Sequence, residues 1–356
     1  MPNLNLKNFA KIKDSDFDIQ DITVFAGKPG TGKSYIMKML YAIDDGVNKG
    51  HQELEGLNNY IKSGEGKNLT KQEKIEFEKL LSFFKSIKKF DEKDFINNAY
   101  KNIIESIFGG LNQISFNFNV TKEKEIVLKY IDKVLEVEVL NKKNIFRDNI
   151  FVETPLILEF KHFMNREEGK TPYHIESLLK ILDKDYSFTD SEQDEFIKSF
   201  VEKSKAIING NIENSGDSFI FKTDTQDFSI INASSGIKSI GLLQYLVTNK
   251  ALKKGSTLYW EEPEVHLHPT WQLKMIDLFI ELMNAGVKIV FSTHSPFMAD
   301  YLNAKATREK FGERVSFNLL SEENGVISNT ILEEKNWKLL QDELLGPLED
   351  IMWEYL

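Results

Sequence analysis

The chain of 356 residues contains no cysteine. That excludes thiolate metal sites, disulfide staples and a cysteine nucleophile, and it suits a reducing compartment, so a cytoplasmic location is expected. Long apolar runs are missing as well. Nowhere do about 18 consecutive apolar residues occur, so no membrane span is expected, and the opening "MPNLNLKNFAKIKDSDFDI" alternates apolar with polar residues instead of building the apolar centre of a signal peptide. Positive charge is scarce overall. A net charge of −10 argues against a surface that coats DNA, because nonspecific affinity comes from Lys and Arg neutralising phosphates. One local exception is 60–101, with ten Lys against seven Asp and Glu. This is either a nucleic-acid face or an ordinary solvated mixed-charge helix surface. Neither an internal repeat nor a low-complexity linker is visible.

What is present is enough for one large core or two smaller ones, at 41% hydrophobic residues. Strands are expected at 3–8, 16–20 and 22–26, then a helix over 33–43 on which Ile36, Met37, Leu40 and Ile43 recur at helical spacing. Residues 45–113 read as helical, with Phe77, Leu80, Leu81, Phe84 and Ile87 forming a packing stripe. Strands return in "ISFNFNV", "EIVLKYI" and "VLEVEVL" as a meander, and "NIFVETP" closes the block. Helices over 156–210 are followed by strands at 218–223 and 227–231, a helix to 249, the strand "TLYWE", a helix to 284 and the strand "VKIVFS". Strand, helix, strand at this end implies a parallel sheet.

"GKPGTGKS" at 27–34 fits the phosphate-loop pattern where it has physical meaning, directly after an apolar strand and at the start of a helix. Gly27, Pro29, Gly30, Thr31 and Gly32 would curl the backbone so that its N–H groups face phosphates. Lys33 would reach the β and γ phosphates of ATP, and the Ser34 hydroxyl would ligate Mg²⁺. A second constellation, "STLYWEEPEVHLHP", places Glu261 and Glu262 at a strand exit. Adjacent strand residues face opposite sides, so the two carboxylates take different tasks: Glu261 the magnesium shell, Glu262 the proton of the attacking water. His266 and His268 beside Glu262 and Glu264 imitate a metal site, but with no cysteine and a phosphate loop nearby a dedicated transition-metal site is not expected. His294 in "VFSTHSP" should stand at the carboxyl end of another strand, able to hydrogen-bond the γ-phosphate or the water. In "NASSGIKS", Ser234 or Ser235 is an ordinary helix N-cap, and the same Ser-Gly can also meet a phosphate bound elsewhere.

Taken in order, "GKPGTGKS", "ASSGIKS", "WEEPEVHLHP" and "STHSP", with the opening "LNLKNFAKIKD", resemble the ABC-type ATPases of the SMC/RecF/OLD group. The stand-alone AAA-type proteins of that group, often found in antiphage defence operons, are the nearest in appearance. The resemblance covers about 1–44 and 114–335. It implies an α/β P-loop NTPase with an ABC/SMC-like head, built as a mixed-sheet core plus an antiparallel subdomain with inserted helical lobes. The ATPase core would comprise 1–44, 114–160 and 218–335, with a helical insertion at 45–113, a helical lobe at 161–217 and C-terminal helices at 336–356. It further implies that Lys33 and Ser34 are the Walker A pair, Ser235-Gly236 the signature, Glu262 the catalytic glutamate and His294 the switch histidine. Two copies would meet head to tail, Ser235-Gly236 of one closing over ATP held by the other, as a homodimer or higher oligomer.

There are departures from the pattern. Glu261 stands where the family usually has Asp, so hydrolysis is expected to be slower. Ile237 and Lys238 replace Gly-Gln, Pro29 replaces Asn, and Glu153 is a positional stand-in for the Q-loop glutamine. No Toprim domain and no long coiled-coil arms are legible. The last residues read as two short helices split at Gly346-Pro347, docked through Trp337, Leu340 and Leu344. Three functions follow as expectations: an ATP-driven switch acting on a separate effector, nuclease or toxin, with nucleic acid a possible further partner; a RecF-like DNA-repair clamp; or a scaffold that binds ATP with very slow turnover.

Overall fold

A strand covered on both faces is nearly all apolar, and Ile22–Gly27 (β3) is buried at every position, its one polar side chain, Thr23, hydrogen-bonded to Gln20. The computed structural model describes residues 4–46, 49, 92–109, 118–122, 126–132, 134–139, 149–160, 171–184, 191–216 and 218–355. The stripe at Phe77, Leu80, Leu81, Phe84 and Ile87 and most of the lysine-rich stretch lie outside them. The strands before and after β3 are β1 (Leu4–Phe9), β2 (Ile12–Phe17), β4 (Phe118–Lys122), β5 (Ile126–Ile131), β6 (Val134–Val139) and β7 (Asn149–Val152). Then come β8 (Asn211–Asn214), β9 (Phe219–Lys222), β10 (Asp227–Ser229), β11 (Thr257–Trp260), β12 (Lys288–Thr293), β13 (Val315–Glu323) and β14 (Val326–Ile331). The helices are α1 over 33–46, α2 (Glu92–Phe108), α3 (Ile157–Phe160), α4 (Tyr173–Asp183), α5 (Ser191–Ile208), α6 (Ser235–Thr248), α7 (Pro269–Asn284), α8 (Pro296–Arg308) and α9 (Lys338–Tyr355).

Among the described residues, 11 strands form one mixed sheet in the order β6-β5-β4-β1-β2-β14-β13-β3-β12-β11-β7. From β13 to β7 every pairing is parallel. From β6 to β2 every pairing is antiparallel. The β13–β14 hairpin joins the halves, with Ile327 opposite Ile12. Alternation divides the core into two layers. On β3, Ile22, Val24 and Ala26 enter one and Phe25 the other; on β11, Leu258 and Trp260 separate from Tyr259; on β12, Ile289 and Phe291 separate from Val290. The first layer packs under α5 to α8 and the second under α1 and α2. Burying each such side chain contributes about 1.5–3 kcal/mol, which is why the parallel half is a firm base for what its strand ends carry. A separate three-stranded sheet, β10-β9-β8, sits before α6.

The parallel pairing of β11 and β12 agrees with the sequence. The strand expected at 16–20 instead runs over 12–17, because pairing Phe9 with Ile12 in a tight hairpin buries Leu4, Leu6, Phe9, Ile12 and Phe17 together. The two expected C-terminal helices are one: α9 continues through Gly346 and Pro347. A proline within a helix removes one N–H and crowds the preceding residue, and the preceding residue here is a glycine with no Cβ to meet the ring. Docking is as expected. Trp337 packs edge-on to Phe317 at 4.8 Å, its Nε1 donates to Asp300 at 2.8 Å, and Leu340 is fully buried. Among the described residues, no helix is long and apolar enough to cross a membrane.

Candidate nucleotide site

The site is built where parallel strands end, the position at which open α/β sheets hold ligands. Gly27 closes β3 with φ 144°, and a Cβ there would stand 2.3 Å from the Leu320 carbonyl oxygen of β13, so no other residue fits between the two strands. Gly30 and Gly32 both adopt φ 82°, in the left-handed region that only glycine occupies without cost. The loop therefore curls over, with Lys28, Pro29 and Gly30 exposed at its crest, and re-enters as α1. Thr31 folds inward, its Oγ1 donating to the Lys28 carbonyl at 2.8 Å. Lys33 is buried, and its ammonium donates to the Gly27 and Lys28 carbonyls, each at 2.9 Å. Burial lowers its pKa to about 8, while Glu262 and Glu264 oppose the shift.

From the next strand but one, β11, Glu261 comes to the start of the same helix, where Ser34 hydrogen-bonds its carboxylate. Its Oε1 is buried without a partner. Burial raises its pKa to about 7; Lys38 lowers it, and Glu153 and Glu262 raise it. A buried, half-satisfied carboxylate beside a hydroxyl is a fitting pair of oxygens for a divalent cation, since Mg²⁺ takes one or two protein oxygens and completes its shell with phosphate and water. Among the described residues, no group of three or more His, Asp or Glu could hold a metal ion alone.

Glu262 has φ 45°, strained for a residue with a side chain. Its N–H donates to Ser292 Oγ at 3.2 Å, and its Oε1 meets His294 Nε2 at 3.1 Å. The His294 N–H donates to Glu264 Oε1 at 2.6 Å. Burial and then Lys33 lower the His294 pKa, with Glu262 opposing, a shift that favours the neutral ring.

Gly27, Thr31, Gly32, Lys33, Ser34, Glu261, Glu262 and His294 thus share one place. Ser235 and Gly236 do not join them. Ser234, not Ser235, caps α6, accepting from Ile237 N at 3.4 Å. Ser235 begins the helix, and Gly236 packs under Trp271. Among the described residues, no hydrogen bond or ion pair connects this turn to the phosphate loop. His268 caps α7 through Thr270 N at 3.3 Å, and His266 is exposed.

Sequence reasoning left Lys38 unnamed. It lies one helical turn beyond Ser34, the spacing that could have found it, and pairs with Glu153 at 3.3 Å. Glu153 also meets buried His174 at 2.5 Å, and that hydrogen bond together with Lys38 holds its pKa down at about 2. In the sequence Glu264 stands out only beside the two histidines; its role as acceptor for the His294 backbone depends on the fold.

Residues 22–300 match the family described as "AAA domain, putative AbiEii toxin, Type IV TA system". Among solved structures, the chain is similar to the SMC head domain from Thermotoga maritima, 13% identical over 93% of this chain and 98% of that one, TM-score 0.46. It is also similar to the SmcHead bound to the C-winged helix domain of ScpA, 14% identical over 94% and 98%, TM-score 0.46. A third is an ATP-binding cassette of an ABC transporter in its ADP conformation, 13% identical over 98% and 96%, TM-score 0.40. Curated proteins give no match.

Proposed function

This chain belongs to that AAA-domain family, and from this premise we propose that it is an ATP-hydrolysing switch that works as a dimer and acts on a separate effector. The observation that carries the proposal is the convergence of Lys33, Ser34, Glu261, Glu262 and His294 at the ends of β3, β11 and β12.

In this reading Lys33 leaves the Gly27 and Lys28 carbonyls for the β and γ phosphates, trading two neutral acceptors for charged ones. Ser34 and Glu261 would hold Mg²⁺, which when bound would neutralise charge on the phosphates. Glu262 accepts the proton of the attacking water. Neutral His294, already aligned with Glu262, hydrogen-bonds the γ-phosphate or that water and keeps the carboxylate pointed at it. The separation of Ser235 and Gly236 from the chain's own loop supports a role in trans, in which they close over the ATP of a second protomer. The family description names a toxin of a type IV toxin–antitoxin system; that supports an output executed with a partner, a nuclease or toxin, in cytoplasmic defence.

Calorimetry of ATP with Mg²⁺ against wild type and Lys33→Ala tests the site. Most of the affinity should vanish in the variant, and unchanged affinity overturns the proposal. Purified alone with ATP and Mg²⁺, the chain should leave DNA, RNA and tRNA intact, whereas a pull-down from its own operon should retain a partner differently in wild type and Glu262→Gln.

A further inference from the structure

Lys238, in the first turn of α6, is buried, with only 5% of its side chain exposed. Nothing in the catalysis above uses it. A cation there is doubly unfavourable, being out of water and at the positive end of the helix dipole. Two contacts hold it: Glu159 of α3 lies 2.5 Å from its Nζ, and the Ile231 carbonyl, in the turn preceding the signature, accepts from it at 3.3 Å. A single ammonium therefore ties the base of the Ser235 turn to α3 and to the segment that leads into the helix. The turn's free side is open to solvent, with Ile231 52% and Phe160 46% exposed.

The other end of the same short segment is tied to the nucleotide site. β7 ends at Val152; Glu153 follows and pairs with Lys38, whose charge also acts on Glu261, and with His174. Thr154 and Pro155 turn the chain directly into α3, the Ile157 and Leu158 N–H groups donating to the Thr154 and Pro155 carbonyls. Ile157 and Leu158 are buried in the first core layer. Residues 153–160 are thus pinned at both ends by ion pairs, one beside the chain's own Glu261 and one beneath its Ser235, and anchored between by apolar packing.

We propose that Glu159 and Lys238 are positioning residues that transmit nucleotide occupancy from a protomer's own site to its signature turn. The inference rests on the ATP-sandwich reading. Phosphates and a cation arriving beside Ser34 and Glu261 alter the field in which Lys38 holds Glu153, and a shift of Glu153 is carried along a short segment of eight residues, anchored by Ile157 and Leu158, whose far end carries Glu159. Lys238 follows Glu159, and the Ile231–Ser235 turn follows Lys238. The route is physical and contiguous, and its test is whether it couples the two ends.

Breaking the pair with Glu159→Gln leaves a buried ammonium without its partner and lowers stability. The informative variant is therefore Glu159→Leu with Lys238→Met, which removes both charges, keeps apolar volume and should fold with an unchanged melting temperature. ATP-driven dimerisation is read by light scattering on the Glu262→Gln background. Nucleotide affinity of the single protomer is read by calorimetry on the Ser235→Arg background, which cannot close. The expected result is about tenfold more ATP required for dimerisation, with protomer affinity unchanged, a coupling of ordinary allosteric size; Lys238→Arg, which keeps the ion pair, should dimerise as the parent does. A double variant that dimerises like its parent overturns the inference and leaves the ATP sandwich standing. So does one whose protomer affinity falls as much as its dimerisation. A Glu262→Gln parent that does not dimerise with ATP removes the sandwich itself, and the inference with it.

Discussion

The phosphate loop and the candidate signature turn are both short serine- and glycine-containing turns that open a helix, yet one gathers several charged groups around itself and the other has one buried ion pair beneath it and an exposed apolar rim. At the loop, Lys33 has two carbonyl acceptors, Ser34 meets Glu261, and Glu262 meets His294; burial shifts Lys33, Glu261 and His294 all toward neutrality. At Ser235 the backbone carbonyl accepts from Ser239 Oγ within its own helix, at 3.1 Å, and Ile231 and Phe160 on the neighbouring segments are exposed. Groups poised against one another in low dielectric are suited to chemistry, because their charges act without reorganising water. A turn with an exposed apolar rim is suited to assembly. In the proposed reading, one chain would hold a nearly complete reacting centre and contribute half of a second.

The largest effect should come from removing the base. Glu262→Gln keeps the contact with His294 but cannot take a proton, so turnover should fall about 10²–10⁴-fold while ATP is still bound. Phosphate release beside calorimetry checks it. Glu261→Asp should hydrolyse at least as fast as wild type, since the shorter arm is the one the resemblance associates with this position. If Glu261→Gln stops turnover and Glu262→Gln does not, the two roles are exchanged. At the other turn, Ser235→Arg should spare ATP binding by a protomer and prevent the ATP-dependent dimer on the Glu262→Gln background. An undiminished dimer would remove the distinction drawn between the two turns.

The pH dependence sharpens the same contrast. Lys33 must be an ammonium to attract phosphates, and with its pKa lowered to about 8 that charge is lost as pH rises through this value. Glu261 must be a carboxylate to hold Mg²⁺, and with its pKa raised to about 7 it is protonated as pH falls through that value. Both shifts narrow the range from opposite sides, so kcat/KM, which reports the free protein, should be bell-shaped and greatest between about 7 and 8. Glu261→Gln should flatten the acid limb. Dimerisation of protomers already loaded with ATP requires neither Lys33 nor Glu261 to change charge, so it should follow pH weakly.

The loop was legible in the sequence because its glycines, lysine and serine are local, and the strand before and helix after are set by local apolar periodicity. The carboxylates and His294 were legible as strand-end residues for the same reason. What was not legible depends on distant chain. Gly27 is required by Leu320, on a hairpin with no motif of its own. Lys238 stands out in the sequence only as a replacement in the Gly-Gln pattern, and its ion pair requires Glu159 from a distant segment; Glu153, in the place of a glutamine, is drawn to Lys38 and His174. The continuous α9 was missed because a Gly-Pro pair is an ordinary stop signal whose penalty tertiary packing can override.

That helix supplies the smallest predicted effect. Glu343 of α9 lies 3.5 Å from the Lys28 ammonium, at the crest of the phosphate loop, and Lys28 is the residue whose carbonyl holds both Lys33 and Thr31. The carboxylate competes with incoming phosphates for positive charge and braces the loop in the geometry that keeps Lys33 engaged with its carbonyls. Lys28 is 48% exposed, so solvent screens the pair, and exposed ion pairs contribute about 0.2–1 kcal/mol. Glu343→Gln should therefore tighten ATP binding by only about 1.4- to 5-fold at low ionic strength. The gain should shrink toward nothing near 1 M salt, where screening extends only about 3 Å. Calorimetry at two salt concentrations measures it. Weaker binding in the variant would mean that α9 supports the loop instead of opposing the nucleotide, and a gain that persists at high salt would point to a change in loop shape and not in charge.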